Sequence, residues 1–155
     1  MTDRPNSRLC IFFQNQSEEA ARFYADTLPD AHVDLVQPIG KNQNMALFRI
    51  MGTHYMALDG NDSFQPRPDH SISIATLDQA ETDKIWDALT DGGEEGRCGW
   101  CKDRFGVHWQ VIPTAMTHML SASDRSAADR ARQAMMAMKK IDIAEMQAAF
   151  DGQDG

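Results

Sequence analysis

The sequence predicts an α+β fold in which two βαβββ modules are followed by C-terminal helices. Three observations predict it: a strand–helix–strands pattern occurs twice, a hairpin closes the second copy, and strong helix formers fill the remainder. The 155 residues, 42% hydrophobic and 25% charged, are typical of one domain over 1–155. We place the modules at about 8–60 and 70–113, and the helical extension at about 114–150.

The first module begins with a short apolar strand at 9–13. Ser17 is predicted to cap the following helix with its side-chain oxygen, and Glu18 and Glu19 in the first turn are favoured by the helix dipole. Pro29 ends that helix. Three strands follow, at 33–36, 45–50 and 55–58.

The second module repeats this order. A strand at 71–76 is followed by a helix that Asp78 caps, with Glu81 three residues on to complete a capping box. An offset of 62 positions (72 − 10 = 62) aligns Cys10 of the first module with Ile72 of the second. The repeat therefore predicts that the two modules share one topology.

The closing hairpin of the second module turns at Arg104-Phe105-Gly106. Side chains alternate between the two faces of a strand, so its last strand presents two different sets. One face is predicted to carry Val107, Trp109 and Val111, and the other His108, Gln110 and Ile112.

The C-terminal helices are predicted at 127–138 and 143–150. Their apolar stripe is interpreted as core packing or a homodimer seam rather than as a binding face for a foreign partner. It consists of Met135, Met138, Ile141 and Met146.

The charge of the chain excludes some classes of partner. Fifteen Lys and Arg against 23 Asp and Glu give a net charge of −8 (15 − 23 = −8), whereas nucleic acids and anionic membranes require basic patches. No apolar run approaches a membrane span, and the N-terminus has no apolar signal region. Three cysteines are too few for a disulfide scaffold, so we expect a cytoplasmic protein.

Four stretches of the chain carry a resemblance to a known family. They are Ser17-Glu18-Glu19-Ala20-Ala21-Arg22-Phe23-Tyr24, Met56-Ala57-Leu58-Asp59-Gly60, the hairpin from Cys98 to Gln110, and Met135-Met136 with Met138-Lys139-Lys140-Ile141-Asp142-Ile143. On these residues the chain resembles the PhnB-like branch of the vicinal-oxygen-chelate superfamily, which includes glyoxalases, bleomycin-resistance proteins and dihydroxybiphenyl dioxygenases. Over about 9–150, the resemblance implies a glyoxalase/bleomycin-resistance-type cupped sheet, a ligand cavity between the modules, and a homodimer.

Members of this branch are often labelled as a 3-demethylubiquinone methyltransferase domain. The sequence has no glycine-rich strand–turn–helix opening for S-adenosylmethionine, and it is short for that nucleotide fold. Methyl transfer is therefore kept as a further alternative only.

In metal-using relatives, the resemblance implies ligands on the first and last strands of each module. Those positions correspond here to Leu9, Met56, Ser71 and Gln110. Divalent ions of this type prefer imidazole and carboxylate, which none of these side chains provides. We therefore predict no metal and no cofactor, with a divalent ion at a non-standard histidine site as the alternative. His70 is interpreted as a linker residue, unless a bulge turns it into a ligand.

His54 and His108 are the candidate catalytic residues. Each lies two positions beyond a turn glycine (54 − 52 = 2; 108 − 106 = 2), so the repeat relates them. If their face lines the cavity, they would act as acid–base groups or as a non-standard metal pair. The alternative is that both are rim or solvent-facing residues.

Ser71, Gln110, Trp100 and Phe13 are the candidate ligand-binding residues. Ser71 and Gln110 place polar groups on the predicted cavity face, where they would hydrogen-bond a ligand or each other. Trp100 and Phe13 would line an aromatic pocket, although such residues more often belong to the core.

Cys98 and Cys101 form a CxxC pattern that enters a strand rather than a helix. Redox chemistry favours a cysteine at a helix N-terminus, and zinc would need two further ligands, so Cys101 is interpreted as a core residue. The sequence as a whole predicts a protein that binds a small organic ligand without metal. A lyase-, isomerase- or oxygenase-type enzyme that uses His54 and His108, or a non-standard metal site, is the alternative.

Overall fold

The structure, a computed structural model, describes residues 7–153 and divides into two compact units that meet in sequence between Pro66 and Arg67. The first unit has the order βαβββ. Its elements are β1 (Leu9–Phe13), α1 (Ser17–Thr27), β2 (Ala31–Gly40), β3 (Gln43–Ile50) and β4 (Thr53–Asp59). The strand order in its sheet is β1-β4-β3-β2, in which β1 and β4 are parallel and the other neighbours antiparallel.

The second unit repeats this topology and adds three helices. Its elements are β5 (Ile72–Thr76), α2 (Gln79–Thr90), β6 (Glu94–Glu95), β7 (Trp100–Lys102), β8 (His108–Pro113), α3 (Thr114–Leu120), α4 (Arg125–Ala137) and α5 (Ile143–Phe150). The strand order β5-β8-β7-β6 matches that of the first sheet. The predicted α+β fold with two βαβββ modules and C-terminal helices is confirmed. The predicted cavity between the modules stays a prediction.

The core of the first unit lies between its sheet and helix α1. The face of α1 that carries Ala20, Ala21 and Tyr24 is fully buried. The Tyr24 ring lies 5.8 Å from that of Phe48, which stacks on Tyr55 at 5.1 Å between centroids. Each such buried aromatic side chain contributes about 1.5–3 kcal/mol relative to exposure, so this stack fixes the helix on the sheet.

The predicted cap at Ser17 is wrong. The N-cap residue of α1 is Gln16, without a side-chain cap, and Ser17 is already helical. Instead, the buried carboxylate of Asp59 accepts hydrogen bonds from Ser17 N at 2.9 Å and from Asn44 N at 2.8 Å. Asp59, at the end of β4, thus caps the helix. It accepts from a backbone N–H in the first turn, and such N–H groups have no partner within the helix.

In the second unit, the predicted cap of α2 is confirmed. The Asp78 carboxylate accepts from Glu81 N at 2.8 Å, and the Glu81 carboxylate accepts from Leu77 N at 2.6 Å. On the sheet beneath this helix, Trp109 is fully buried together with Trp86 of α2. The alternation of β8 therefore turns Trp109 and Val111 toward the helix, as predicted.

A buried carboxylate also shapes the closing hairpin. Asp103 accepts hydrogen bonds from Phe105 N at 2.9 Å, Val107 N at 3.0 Å and Trp109 Nε1 at 2.8 Å. Gly106 completes the turn with φ +88°, a conformation that glycine adopts without steric cost. The predicted turn around Arg104-Phe105-Gly106 is confirmed by this geometry.

The C-terminal helices pack around a methionine-rich cluster in the second unit. Its buried members are Met116, Met119, Ala131, Met138, Ile141 and Met146, and Ile112 of β8 packs against it. Met138, Ile141 and Met146 of the predicted stripe are thus core residues, and Met135 lies partly buried beside them.

Candidate ligand-binding site

The second sheet has an open face, which we define as the face opposite helix α2. Strand register places Gln110 of β8 between Trp100 of β7 and Ser73 of β5 on this face, and His108 beside Lys102. Ser71 joins them, because the Gln110 side chain donates a hydrogen bond to its hydroxyl. The face therefore combines one aromatic ring with hydroxyl, amide, imidazole and ammonium groups.

Ser71 and Gln110 are brought together as one polar pair. Gln110 Nε2 donates a hydrogen bond to Ser71 Oγ at 2.8 Å. The two residues thus bond each other, which was one of the two alternatives that the sequence left open. A glutamine amide has two N–H donors and an accepting oxygen, so this one bond orients the side chain and leaves it able to bond a ligand. The pair is therefore a pre-oriented polar group on a sheet surface.

Trp100 lies next to this pair with 43% of its surface exposed. Aromatic side chains beside a few oriented polar groups line small-molecule sites, and this face offers that combination. Of the two predicted aromatic site residues, Trp100 is the one that the structure leaves accessible.

Phe13 requires a correction. It lies on β1 in register with Asp59, on the face of the first sheet that packs against α1, and it is buried in the core. A side chain that is covered by its own helix cannot line an open surface. Phe13 is therefore a core residue and not a ligand-binding residue.

His108 is half-buried on the open face of the second sheet, directly across from Lys102. The ammonium of Lys102 forms an ion pair with Glu94 at 2.8 Å. A cation beside this position disfavours a second cation, so the pair suits an anionic or acceptor-rich ligand better than a metal ion.

His54 lies on the corresponding position of the first sheet, half-buried and directly across from Arg49. Its Nδ1 is buried without a hydrogen-bond partner in the part of the chain that the structure describes. The Arg49 guanidinium donates hydrogen bonds to the Asp34 carboxylate and thereby lowers the pKa of that carboxyl. Because Arg49 lies across from His54, an ion pair stands next to this imidazole.

His70 precedes strand β5 and is largely exposed, with its Nδ1 3.4 Å from an Asp69 carboxylate oxygen. It lies in the segment that leads into the second unit, as expected for a linker residue. The pairing of β5 with β8 runs from Ile72 to Thr76 without a register shift, so it contains no bulge that would turn His70 to the face of Ser71.

The CxxC pattern shows no redox geometry. Cys98 and Cys101 are both free thiols, and Cys101 is buried in β7 in register with Trp109. Burial, with a smaller effect from the charge of Asp103, raises the pKa of the Cys101 thiol to about 12. A thiol in this environment is a weak nucleophile, as expected for a core residue.

The positions that correspond to the superfamily's metal ligands do not provide a suitable donor set. In the register of β1, Leu9 lies beside Tyr55 on the helix-packed face, whereas Cys10 lies beside Met56. In the second unit the donors are the Ser71–Gln110 pair. Thiol, thioether, hydroxyl and amide differ from the imidazole and carboxylate that such ions prefer. Among the described residues, no group of three or more His, Cys, Asp or Glu side chains is placed to hold a metal ion.

The placement of Leu9 also corrects the predicted repeat. Tyr55 and Trp109 each lie three residues past a turn glycine, and their partners on the first strands are Leu9 and Ile72. The first strands, β1 and β5, therefore repeat with an offset of 63 (72 − 9 = 63), whereas the helices keep 62 (79 − 17 = 62). A shift of one residue moves a strand side chain to the other face, so the predicted alignment of Cys10 with Ile72 is wrong.

Two residues of the open face were missed from sequence. Ser73 lies beside Gln110, and Lys102 lies beside His108. Ser73 and Lys102 each follow a residue that is buried against the helix, Ile72 and Cys101. Because side chains alternate between the two faces of a strand, this pattern is the signal that places Ser73 and Lys102 on the open face. Neither residue type attracts notice in isolation, because serine and lysine are common on any exposed strand.

Comparisons with known proteins agree with this fold. The family model described as 3-demethylubiquinone-9 3-methyltransferase matches residues 6–112. No curated protein matches the chain. Within the described residues, no helix combines the length and the apolar character that crossing a lipid bilayer requires.

Several solved structures are similar to the chain. A PhnB protein from Bacillus cereus, described as a 3-demethylubiquinone-9 3-methyltransferase, has a TM-score of 0.65 and 21% identity, over 70% of this chain and 99% of its own. A protein from Pseudomonas aeruginosa has a TM-score of 0.58 and 22% identity, over 71% and 98%.

The fosfomycin resistance protein FosX from Listeria monocytogenes, in complex with Mn(II) and sulfate, has a TM-score of 0.51 and 15% identity, over 72% of this chain and 92% of its own. At these identities the structures show a shared fold, whereas the family model matches well over half of the chain. The chain therefore belongs to the 3-demethylubiquinone-9 3-methyltransferase family, within the PhnB-like branch of the glyoxalase/bleomycin-resistance superfamily.

Proposed function

We propose that this protein binds a small organic ligand without a metal, on the open face of its second sheet. Trp100 supplies an accessible ring, and Gln110 and Ser71 supply polar groups beside it. The observation that carries the proposal is the hydrogen bond between Gln110 and Ser71, because it fixes the direction of an amide next to an exposed aromatic side chain. Pre-oriented polar groups beside an aromatic ring help proteins to select small molecules.

The proposal is tested by screening small aromatic compounds against the whole chain by ligand-observed NMR. Trp100→Ala and Gln110→Ala should each reduce the number and the affinity of the hits. Leu77→Ala is the matched control, because Leu77 is 80% exposed but lies in the turn before α2. Equal hit rates for all three variants and the unmodified protein would contradict the proposed site.

An enzyme is the second candidate, because His108 lies beside Lys102 on the same face and His54 has a buried Nδ1 that no group within residues 7–153 hydrogen-bonds. In this case one or both histidines act as acid–base groups in a lyase, isomerase or oxygenase reaction. Replacing both by alanine should abolish any turnover found in a screen of such substrates. Unchanged turnover would exclude the histidines as catalytic residues.

A non-standard metal site would also support the enzyme. We expect no ion to be retained when the untagged protein is incubated with zinc, nickel, manganese or iron and then desalted. Elemental analysis measures the content. About one ion per chain would contradict the metal-free proposal and direct attention to His54, His70 and His108 as ligands.

Methyl transfer, the activity in the family's description, is the remaining alternative. We expect no heat of binding when S-adenosylmethionine is titrated into the protein in a calorimeter. Saturable binding with a stoichiometry near one would restore that alternative.

A further inference from the structure

The open face of the second sheet carries one cation close to its aromatic ring. Lys102 and Trp100 are two residues apart on β7, so they point to the same side about 7 Å apart along the strand. Gln110 lies across from Trp100, and His108 lies across from Lys102. The ring and the ammonium therefore stand at two ends of a short polar strip.

The present partner of Lys102 is easily replaced. Its ammonium lies 2.8 Å from a carboxylate oxygen of Glu94, whose side chain is 70% exposed on the two-residue edge strand β6. An ion pair this open to water contributes about 0–1 kcal/mol, because solvent screens it and both side chains lose freedom. An acidic group held on the sheet by further contacts would compete well with such a partner.

The remaining groups of the strip can each donate a hydrogen bond, although the Gln110 amide and the two hydroxyls also accept. Lys102 offers an ammonium, Gln110 an amide, and Ser71 and Ser73 hydroxyls, whereas the carboxylate nearest to Lys102 is that of Glu94 at the edge. Donors of this kind suit a ligand with anionic oxygen atoms. The tryptophan face suits a flat ring at the other end.

We propose that the ligand is a flat aromatic acid, whose ring lies on Trp100 and whose carboxylate is bound by Lys102 beside His108. This inference rests on the proposed function and names its ligand class. Because the chain has a net charge of −8, long-range electrostatics disfavour any anion. A preference for the acid over a neutral analogue therefore requires a local cation.

The test uses 2-naphthoate and its neutral analogue 2-naphthamide, which have the same ring system and nearly the same shape. Dissociation constants of both are measured by calorimetry with the whole chain and with Lys102→Met, Lys84→Met and Trp100→Ala. Lys84→Met is the matched control, because it makes the same change on an exposed position of α2, against the opposite face of the sheet. Thermal melts of every variant check that the fold is kept.

We expect the unmodified protein to bind 2-naphthoate more tightly than 2-naphthamide. Lys102→Met should weaken 2-naphthoate about tenfold and leave 2-naphthamide unchanged, since it removes one charge-assisted hydrogen bond. Lys84→Met should change neither constant, and Trp100→Ala should weaken both.

Two failures are distinguishable. If both probes bind equally and Trp100→Ala weakens both, the ligand site stands but its preference for acids is wrong. If neither probe binds, the proposed site is wrong. It is also wrong if both probes bind and Trp100→Ala changes neither dissociation constant. Either result would contradict the proposed function as well.

Discussion

At the scale of single residues, two buried carboxylates organise the ends of the two modules. Asp59 joins the start of α1 to the start of β3, and Asp103 joins the turn of the closing hairpin to the Trp109 ring. Each accepts hydrogen bonds from backbone N–H groups that would otherwise lose their partners on burial. Buried charges of this kind stabilise a fold only when their oxygen atoms are fully satisfied.

Asp103→Asn should destabilise the protein by about 1–3 kcal/mol, because the amide nitrogen cannot accept and at least one buried donor is left unpaired. Urea unfolding measures the free energy of unfolding. Asp87→Asn, an exposed position on α2, is the matched control and should change it by less than about 0.5 kcal/mol. Equal effects of the two substitutions would show that Asp103 does not have this role.

Cys101 should resist alkylation in the folded protein. With a pKa of about 12, raised by burial and by Asp103, its thiolate fraction at pH 8 is on the order of one in ten thousand. Iodoacetamide treatment at pH 8 followed by peptide mass spectrometry should leave Cys101 unmodified, whereas the same treatment in urea should modify it. Equal labelling in both states would contradict the burial of this thiol.

At the scale of elements, the segment 138–143 between α4 and α5 fastens the C-terminal helices to the second module. Cys98 N donates to Met138 O at 2.9 Å, and Gly99 N donates to Lys139 O at 2.7 Å. Gly99 has φ +81°, and a Cβ there would lie 2.7 Å from Val111 O. This contact explains why the chain carries a glycine directly before Trp100.

Gln79 holds the same segment from helix α2. Its side chain donates to Ile141 O at 3.0 Å and accepts from Ile143 N at 2.8 Å. Gln79→Ala should lower the free energy of unfolding by about 1–3 kcal/mol and speed hydrogen exchange at Ile143, because both backbone groups lose their partner.

Gln147→Ala is the control for this prediction, since Gln147 is exposed and its side chain bonds Asp151 only within the same turn region. Hydrogen exchange with mass spectrometry compares the two variants over 138–150. Unchanged protection of this segment in Gln79→Ala would show that the segment is held by its packing alone.

At the scale of the whole molecule, the chain is a family fold with an addition. The family model ends at residue 112, and the Bacillus cereus structure is covered over 99% of its length by 70% of this chain. Helices α3, α4 and α5 follow that point, and Ile112 of β8 packs, partly buried, against their methionine cluster. The addition therefore covers one end of the open face that carries Gln110 and His108.

We expect a homodimer, as the family resemblance implies. The edge strand β2 exposes Leu35 and Ile39, and apolar side chains on an edge favour contact with another chain. Light scattering after gel filtration should give twice the 17.4 kDa of one chain, and Leu35→Lys should lower that mass. Leu77→Lys, at a more exposed position that is distant in sequence from β2, is the control.

A mass of one chain at every concentration tested would contradict the dimer. A dimer that Leu35→Lys leaves intact would place its interface away from β2.

The order of the elements followed from sequence because its signals are local. Each signal spans only a few residues: the alternation of β8, the cap at Asp78 and the helix formers after Pro113. The structure confirms all three. The start of α1 did not follow, since the group that satisfies it is Asp59, 42 positions away from Ser17. The two-residue strand β6 is also too short to leave a periodic signal.

The sequence by itself determined the fold and the duplicated order of the elements, whereas the register of β1 decided that Cys10, and not Leu9, lies beside Met56. Only the tertiary structure decided which aromatic residue is accessible, because Phe13 and Trp100 differ in what packs over them rather than in their local pattern. The structure likewise decided that Gln110 bonds Ser71 and that Lys102 lies beside His108. Period-two alternation is a local property of a strand, whereas the register between strands and the cover over each face depend on residues far apart in the chain.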